Sequence, residues 1–269
     1  MPELPEVENV VLGLRPYVRG RTFARARYNW PRQIVTPAPA AFANRLKGQA
    51  IERLWRRGKY LVFTLTDDTL LIHLKMTGRL YTTHNGAETD RWVRVWFDLD
   101  DGHQMVFSDM RKFGRLYLLA DPSPVFDRLG PEPLADTFTE AVFLQRLARR
   151  KGALKPLLLN QAFLAGVGNI YADEALWQAE IAPQRKANTL DTDESKRLYH
   201  SIRQVLGEGI EHEGATINWY RKPDGTPGEA QDYFKVYDRQ GSPCPRCDSP
   251  IGKITLGGRG THFCPSCQR

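Results

Sequence analysis

Residues 92–99 read Trp92-Val93-Arg94-Val95-Trp96-Phe97-Asp98-Leu99, and this alternation decides the fold of the first half of the chain. Val93, Val95, Phe97 and Leu99 share one face; Trp92, Arg94, Trp96 and Asp98 share the other. That is the period of a β-strand with one buried side. Asp101-Gly102 supplies a turn, and Gln104 to Ser108 reads as the returning strand of a hairpin. Working outward, Leu61, Phe63 and Leu65 alternate with Val62 and Thr64, Leu70 to Lys75 is a second apolar run, and Arg115 to Leu119 adds another strand. Several short strands separated by turns predict a β-sandwich.

A helix precedes the strands. Val7, Val10, Val11 and Leu14 repeat at helical spacing, Pro5, Glu6 and Glu8 suit a helix start, and Pro16 is expected to close it. Beyond the strands, Gly130-Pro131-Glu132-Pro133 reads as a linker. From there the pattern is helical: Thr139–Arg150, Asn169–Gln178 and Thr192–Leu206. Trp219 to Tyr233, with Pro223-Asp224-Gly225 and Pro227-Gly228, reads as a long loop, a length that suggests a functional segment.

The composition is globular: 269 residues, 41% hydrophobic and 26% charged. No run reaches the ~18 apolar residues of a membrane helix. The acidic start Met1-Pro2-Glu3-Leu4-Pro5-Glu6 lacks the basic segment of a secretory signal, which points to the cytoplasm. Lys plus Arg minus Asp plus Glu is 38 − 31 = +7, an excess that fits a polyanionic partner, nucleic acid first. Arg146, Arg149, Arg150, Lys151 and Lys155 cluster without an acid among them. Arg239, Arg246, Lys253, Arg259 and Arg269 face only Asp248 in the tail. Each cluster can grip a phosphate backbone, or simply be a solvated face.

All four cysteines fall in the last 26 residues, as Cys244-x-x-Cys247 and Cys264-x-x-Cys267 with 16 residues between the pairs. Two such knuckles complete a tetrahedral four-thiolate zinc site with no open position, hence a structural one. Two disulfides or unliganded thiols are the alternative, and a reducing compartment disfavours the disulfides. Between the knuckles, Lys253–Leu256 and Thr261–Phe263 read as strands flanking Gly257-Gly258-Arg259-Gly260, which places Arg259 at a hairpin tip. At the other end, removal of Met1 exposes the secondary amine of Pro2. A neutral amine attacks an aldehyde-like carbon to give an iminium, and Glu3 beside it can act as acid or base.

Met1-Pro2-Glu3-Leu4-Pro5-Glu6-Val7-Glu8 resembles the start of the formamidopyrimidine-DNA glycosylases, bacterial base-excision repair enzymes that share a superfamily with endonuclease VIII. The resemblance continues in order through Gly58-Lys59-Tyr60-Leu61, His73-Leu74-Lys75-Met76-Thr77-Gly78 and Asp109-Met110-Arg111-Lys112-Phe113-Gly114. It extends through Leu129-Gly130-Pro131-Glu132-Pro133-Leu134, Leu154-Lys155-Pro156 and Gly166-Val167-Gly168-Asn169-Ile170-Tyr171-Ala172 to the cysteine tail with Arg259.

The resemblance implies an α+β multidomain fold. Its parts are an N-terminal helix and β-sandwich (1-132), a helix-two-turn-helix domain (133-238) with a lesion-covering loop at about 217-235, and a C-terminal β-hairpin zinc finger (239-269). Pro2 would attack C1′ of a damaged nucleoside, Glu3 would protonate the sugar oxygen, and Lys59 and Arg259 would assist. Met76, Arg111 and Phe113 would fill the void left by the extruded base. Arg150, Lys155 and Asn169 would meet phosphates, Asn169 at a helix start. Trp92 stands where the family has a DNA-contacting histidine. One structural zinc, held by Cys244, Cys247, Cys264 and Cys267, is the implied cofactor. Damaged double-stranded DNA is the implied partner, with no membrane, a monomeric protein, and the bacterial cytoplasm or nucleoid as its place. The implied reaction is excision of 8-oxoguanine and formamidopyrimidines followed by β,δ-elimination. Residues 160–166 also resemble the endonuclease VIII branch, which takes oxidised pyrimidines. A zinc-finger protein that binds damage without catalysis is the alternative of another class.

Overall fold

A computed structural model describes residues 1–269. The chain forms two compact units, Met1–Asp127 with His212–Gln231, and Arg128–Glu211 with Asp232–Arg269. No helix is long and apolar enough to cross a membrane.

The first unit opens with α1 (Leu4–Val18), followed by β1 (Phe23–Tyr28), β2 (Ile34–Thr36), α2 (Pro39–Leu46), β3 (Ile51–Arg57), β4 (Tyr60–Leu65) and β5 (Thr69–His73). Then come β6 (Gly78–His84), β7 (Val93–Leu99), β8 (His103–Asp109), β9 (Arg115–Leu119) and the short α3 (Ser123–Phe126). Two sheets result, ordered β1-β7-β8-β6 and β2-β9-β5-β4-β3. One core takes Phe23, Val95, Phe97 and Phe107 from the first sheet and Leu54, Phe63, Ile72 and Leu116 from the second. This is the expected sandwich, and strand β7 alternates buried and half-buried residues along its whole length. Strands β1 and β3 gave no such signal because their buried residues, Phe23 and Ala26 in one and Ile51 and Leu54 in the other, are three apart rather than two.

Helix α1 lays Val7, Val10, Val11, Leu14 and Val18 into the same core. Pro16 does not close it; the helix runs on to Val18. Proline in a last turn removes a single ladder bond, and the apolar stripe ending at buried Val18 outweighs that loss.

The second unit contains α4 (Glu140–Ala148), α5 (Leu154–Leu159), α6 (Asn169–Gln178), α7 (Thr192–Glu211), β10 (Gly252–Leu256) and β11 (Arg259–Phe263). Thr139 caps α4 through its hydroxyl. Helix α7 outlasts the expected Leu206 by a further turn. The expected linker is packed rather than loose: the Gly130 amide donates to Gln161 O at 2.7 Å, and Ala165 N to Pro131 O at 3.0 Å. A Cβ on Gly130 would lie 2.6 Å from the Phe163 backbone.

Candidate active site and nucleic-acid interface

In the first unit, Pro2 and Glu3 are buried at the start of α1. Glu3 is its N-cap. The Glu3 amide donates to Glu6 Oε2 at 2.7 Å, and Glu6 Oε1 accepts the Ala215 amide at 2.8 Å. One buried carboxylate therefore ties the helix start to the segment that returns at residues 212–231. Lys59, 5% exposed, sits in the two-residue turn between β3 and β4, whose other member, Gly58, has φ 56°. Arg56 fixes that turn to α1: its Nε meets Glu8 Oε2 at 2.9 Å and its Nη1 donates to Gly58 O at 3.0 Å. Sequence reading missed both Glu6 and Arg56, because each acts through a partner distant in the chain.

His73 follows at the end of β5, paired in register with Tyr60 and Arg115. Its Nδ1 accepts the Lys75 amide at 3.0 Å, which steadies a residue at φ 55°. Burial, then the charges of Lys75 and Lys59, lower its pKa to about 3, so the ring is neutral. Burial and Arg115 likewise lower the pKa of Lys75.

Met76, Arg111 and Phe113 are exposed and meet one another. Arg111 Nη1 lies 2.9 Å from Met76 Sδ, and its guanidinium lies 4.7 Å from the centre of the Phe113 ring. At 40% and 45% exposure, Met76 and Phe113 are not core side chains. Lys112, at φ 59°, places its ammonium 3.9 Å from the Trp30 ring centre. Trp92 is half-buried, with Arg91 at 4.4 Å and Arg94 at 5.9 Å from its ring.

The returning segment is a folded loop with its ends close. Glu229 N donates to His212 O at 2.9 Å and Ala230 N to Gly214 O at 3.1 Å. Pro223 packs against Gly13 of α1, where a Cβ would lie 2.9 Å away. Trp219 stays exposed.

In the second unit, one face of α6 organises the tail through residues spaced i, i+4 and i+8. Asn169 Nδ2 donates to Gly260 O at 3.1 Å, Asp173 Oδ2 accepts the His262 amide at 2.9 Å, and Trp177 Nε1 donates to Cys244 Sγ at 3.5 Å. Glu174 accepts the amides of Lys235, Val236 and Tyr237, and burial still raises its pKa.

Lys155, expected at a phosphate, is fully buried. Its Nζ lies 2.5 Å from Asp173 Oδ1 and 2.6 Å from Asn169 O. Desolvating an ammonium is costly, so it is matched to a carboxylate and holds the helix start rather than facing solvent. Arg150 is exposed, with its guanidinium 5.7 Å from the Phe163 ring. Arg259 is exposed as the first residue of β11, one step past the tip. Leu256 and Arg259 pair across Gly257-Gly258, whose φ values of 55° and 73° suit a two-residue hairpin turn. Gly257 lies against Pro156, and Gly260 is bound to Asn169, so Arg259, Asn169 and Lys155 are brought together.

The four cysteine sulfurs lie within 4.8 Å of one another. Cys244–Cys267 is 3.9 Å and Cys247–Cys264 is 3.6 Å. Tetrahedral zinc with bonds of about 2.3 Å needs sulfurs about 3.8 Å apart, so the set fits one zinc ion.

The comparisons with known proteins agree with this geometry. Residues 1–116 match the model of the formamidopyrimidine-DNA glycosylase N-terminal domain, 129–221 that of its H2TH domain, and 241–269 the zinc finger found in FPG and IleRS. The formamidopyrimidine-DNA glycosylase of Symbiobacterium thermophilum is 47% identical, covering 100% of this chain and 89% of that one. Lactococcus lactis FPG in complex with a FAPY-dG-containing DNA superposes with TM-score 0.92 at 35% identity, covering 99% of this chain and 100% of that one. MutM in complex with carbocyclic 8-oxo-G-containing DNA gives 0.92 at 36% identity, covering 100% of each chain.

Proposed function

The chain belongs to the formamidopyrimidine-DNA glycosylase family, and from that premise we propose that Pro2 is the nucleophile with which it works. It is a DNA glycosylase and abasic-site lyase of base excision repair with a zinc finger. Its substrate class is oxidised purine, 8-oxoguanine and formamidopyrimidines, in duplex DNA; the names of the relatives and the lesions in their complexes favour this over oxidised pyrimidines.

The observation that carries the reading is that Pro2 directly precedes Glu3, the N-cap of α1, with both buried at the helix N-terminus. The positive end of the helix disfavours a further positive charge there, which favours a neutral amine. With Met1 removed, the Pro2 nitrogen forms a bond to C1′ and the C1′–base bond breaks; the base leaves with that electron pair and is protonated by solvent, and the adduct's N–H proton passes to Glu3. Glu3 gives a proton to the ring oxygen as the sugar opens, and the C1′–N bond becomes an iminium. The iminium acidifies C2′–H; its loss expels the 3′ phosphate, and δ-elimination expels the 5′ phosphate. Lys59 assists in the first unit. Arg259, Asn169 and Arg150 bind phosphates, with Lys155 positioning Asn169. Met76, Arg111 and Phe113 replace the extruded base, and Trp92 with its two arginines replaces the family histidine as a DNA contact. Zinc, held by the four cysteines, supplies structure to the finger.

The chain works in three functional sections, 1-132, 133-238 and 239-269, with 217-235 as the lesion-covering loop, drawn from two compact units. The protein acts as a monomer in the bacterial cytoplasm, where four thiolates stay available to the metal.

Borohydride added during turnover reduces the imine and leaves a covalent protein–DNA adduct at residue 2. Glu3→Gln suppresses base release more than lyase activity on an abasic site. Full lyase activity from protein shown by mass spectrometry to retain Met1 overturns this mechanism, because an acylated proline nitrogen has no usable lone pair.

A further inference from the structure

We infer that Asp109 is the positioning residue that sets Met76, Arg111 and Phe113 as one rigid probe. This rests on the reading of those three side chains given above. Asp109 ends β8 and is completely buried, so it touches no DNA itself. Its carboxylate accepts three hydrogen bonds: Thr77 Oγ1 at 2.5 Å on Oδ1, and Gln33 Nε2 and Gly114 N, each at 2.7 Å, on Oδ2. Thr77 Oγ1 in turn accepts the Arg111 amide at 3.1 Å.

Each exposed probe is thereby held through itself or its neighbour: Met76 through Thr77, Arg111 through its own amide, Phe113 through Gly114. The backbone of Asp109 continues the network. Its N–H donates to Trp92 O at 2.9 Å, and its carbonyl accepts Arg94 Nε at 3.3 Å. Gly114 is required at its place, since a Cβ there would lie 2.3 Å from Phe107 Cζ and 3.1 Å from Asp109 Oδ2.

The chemistry of the site argues for positioning. A buried carboxylate is costly unless hydrogen bonds satisfy it, and here neutral donors do so without an ion pair. These donors come from three separate segments, and two of them carry the probes. Filling a void in stacked DNA demands that the inserted atoms be placed before insertion, because ordering two loops at that moment would oppose it. Asp109 removes that disorder in advance.

The test compares Asp109→Asn and Thr77→Val with wild type. An asparagine amide turns an N–H toward a donor, and valine keeps the shape of threonine while deleting the bridge. Excision of 8-oxoguanine from a duplex should fall roughly ten- to hundred-fold, the effect of losing one or two charge-assisted hydrogen bonds. The fluorescence rise of 2-aminopurine placed beside the lesion, which reports unstacking, should be lost in parallel. Lyase activity on a preformed abasic site in single-stranded DNA should be retained. Thr77→Val keeps the inference testable if Asp109→Asn does not fold. Equal losses on both substrates, or full duplex activity with an intact 2-aminopurine signal, overturn the role of Asp109. Absence of lyase activity from the wild-type protein would instead overturn the enzymatic reading beneath it.

Discussion

Glu6 and Ala215 are 209 positions apart in sequence and joined by a 2.8 Å hydrogen bond from the Ala215 amide to Glu6 Oε1. The other oxygen of the same carboxylate holds the Glu3 amide. The order of the 212–231 loop and the placement of Pro2 and Glu3 thus share one anchor. Glu6→Gln turns an amide N–H toward one of these donors. It should cost about 1–3 kcal/mol of stability, read from the denaturant midpoint, and speed tryptic cleavage after Arg221. An unchanged midpoint with an unchanged cleavage rate would show that the anchor is dispensable.

Zinc should hold the tail folded, because a hairpin this short buries little and binding couples to folding. Cys264→Ser should lower the bound metal, measured by atomic absorption, and weaken DNA binding. Metal loss should also red-shift tryptophan emission, since Trp177 bonds to Cys244. Stoichiometric zinc with full affinity in the mutant would refute the assignment.

DNA affinity should fall steeply with salt as phosphate contacts release counterions. Arg149, Arg150 and Lys151 are exposed. Changing all three to Ala should reduce the slope of log affinity against log salt by up to about 3. Titrations across salt that return the wild-type slope would make this cluster a solvated face.

His73 should make stability fall with acid. Its folded pKa is lowered from 6.5 to about 3, so folding favours the neutral ring. Its contribution is complete above pH 6.5 and is lost as pH falls from 6.5 toward about 3. Within that window the slope is about 1.4 kcal/mol per pH unit. His73→Gln should be less stable near neutrality and show a flatter profile between pH 6.5 and about 4 in urea unfolding. Parallel profiles for the two proteins would mean His73 titrates alike in both states.

Features with local causes are legible in the chain alone. The alternation at 93–99 names a strand because side-chain direction repeats every two residues. The Cys-x-x-Cys pairs name a metal site because each knuckle is closed within four residues. The glycines of Gly257-Gly258-Arg259-Gly260 mark a hairpin tip, and the structure narrows the turn to Gly257-Gly258, both left-handed, with Arg259 one step past it. The ordered motifs from Met1 to Arg259 placed the exposed probe, the N-terminal amine and the finger arginine.

Tertiary structure decided which groups those elements serve. Lys155 reads as a surface charge, and only Asp173, packed beside it, turns it inward. Pro16 reads as a stop, and only the buried Val18 carries the helix past it. Gln33, Thr77 and Gly114 share no local pattern, yet they converge on Asp109. Helix α6 shows little amphipathic pattern because most of its residues are buried, so nothing in its hydrophobic periodicity singles out the face of Asn169, Asp173 and Trp177. The physical reason is shared: local sequence fixes the conformation of a segment, whereas what a buried side chain packs against or bonds to is whatever the rest of the chain brings to it.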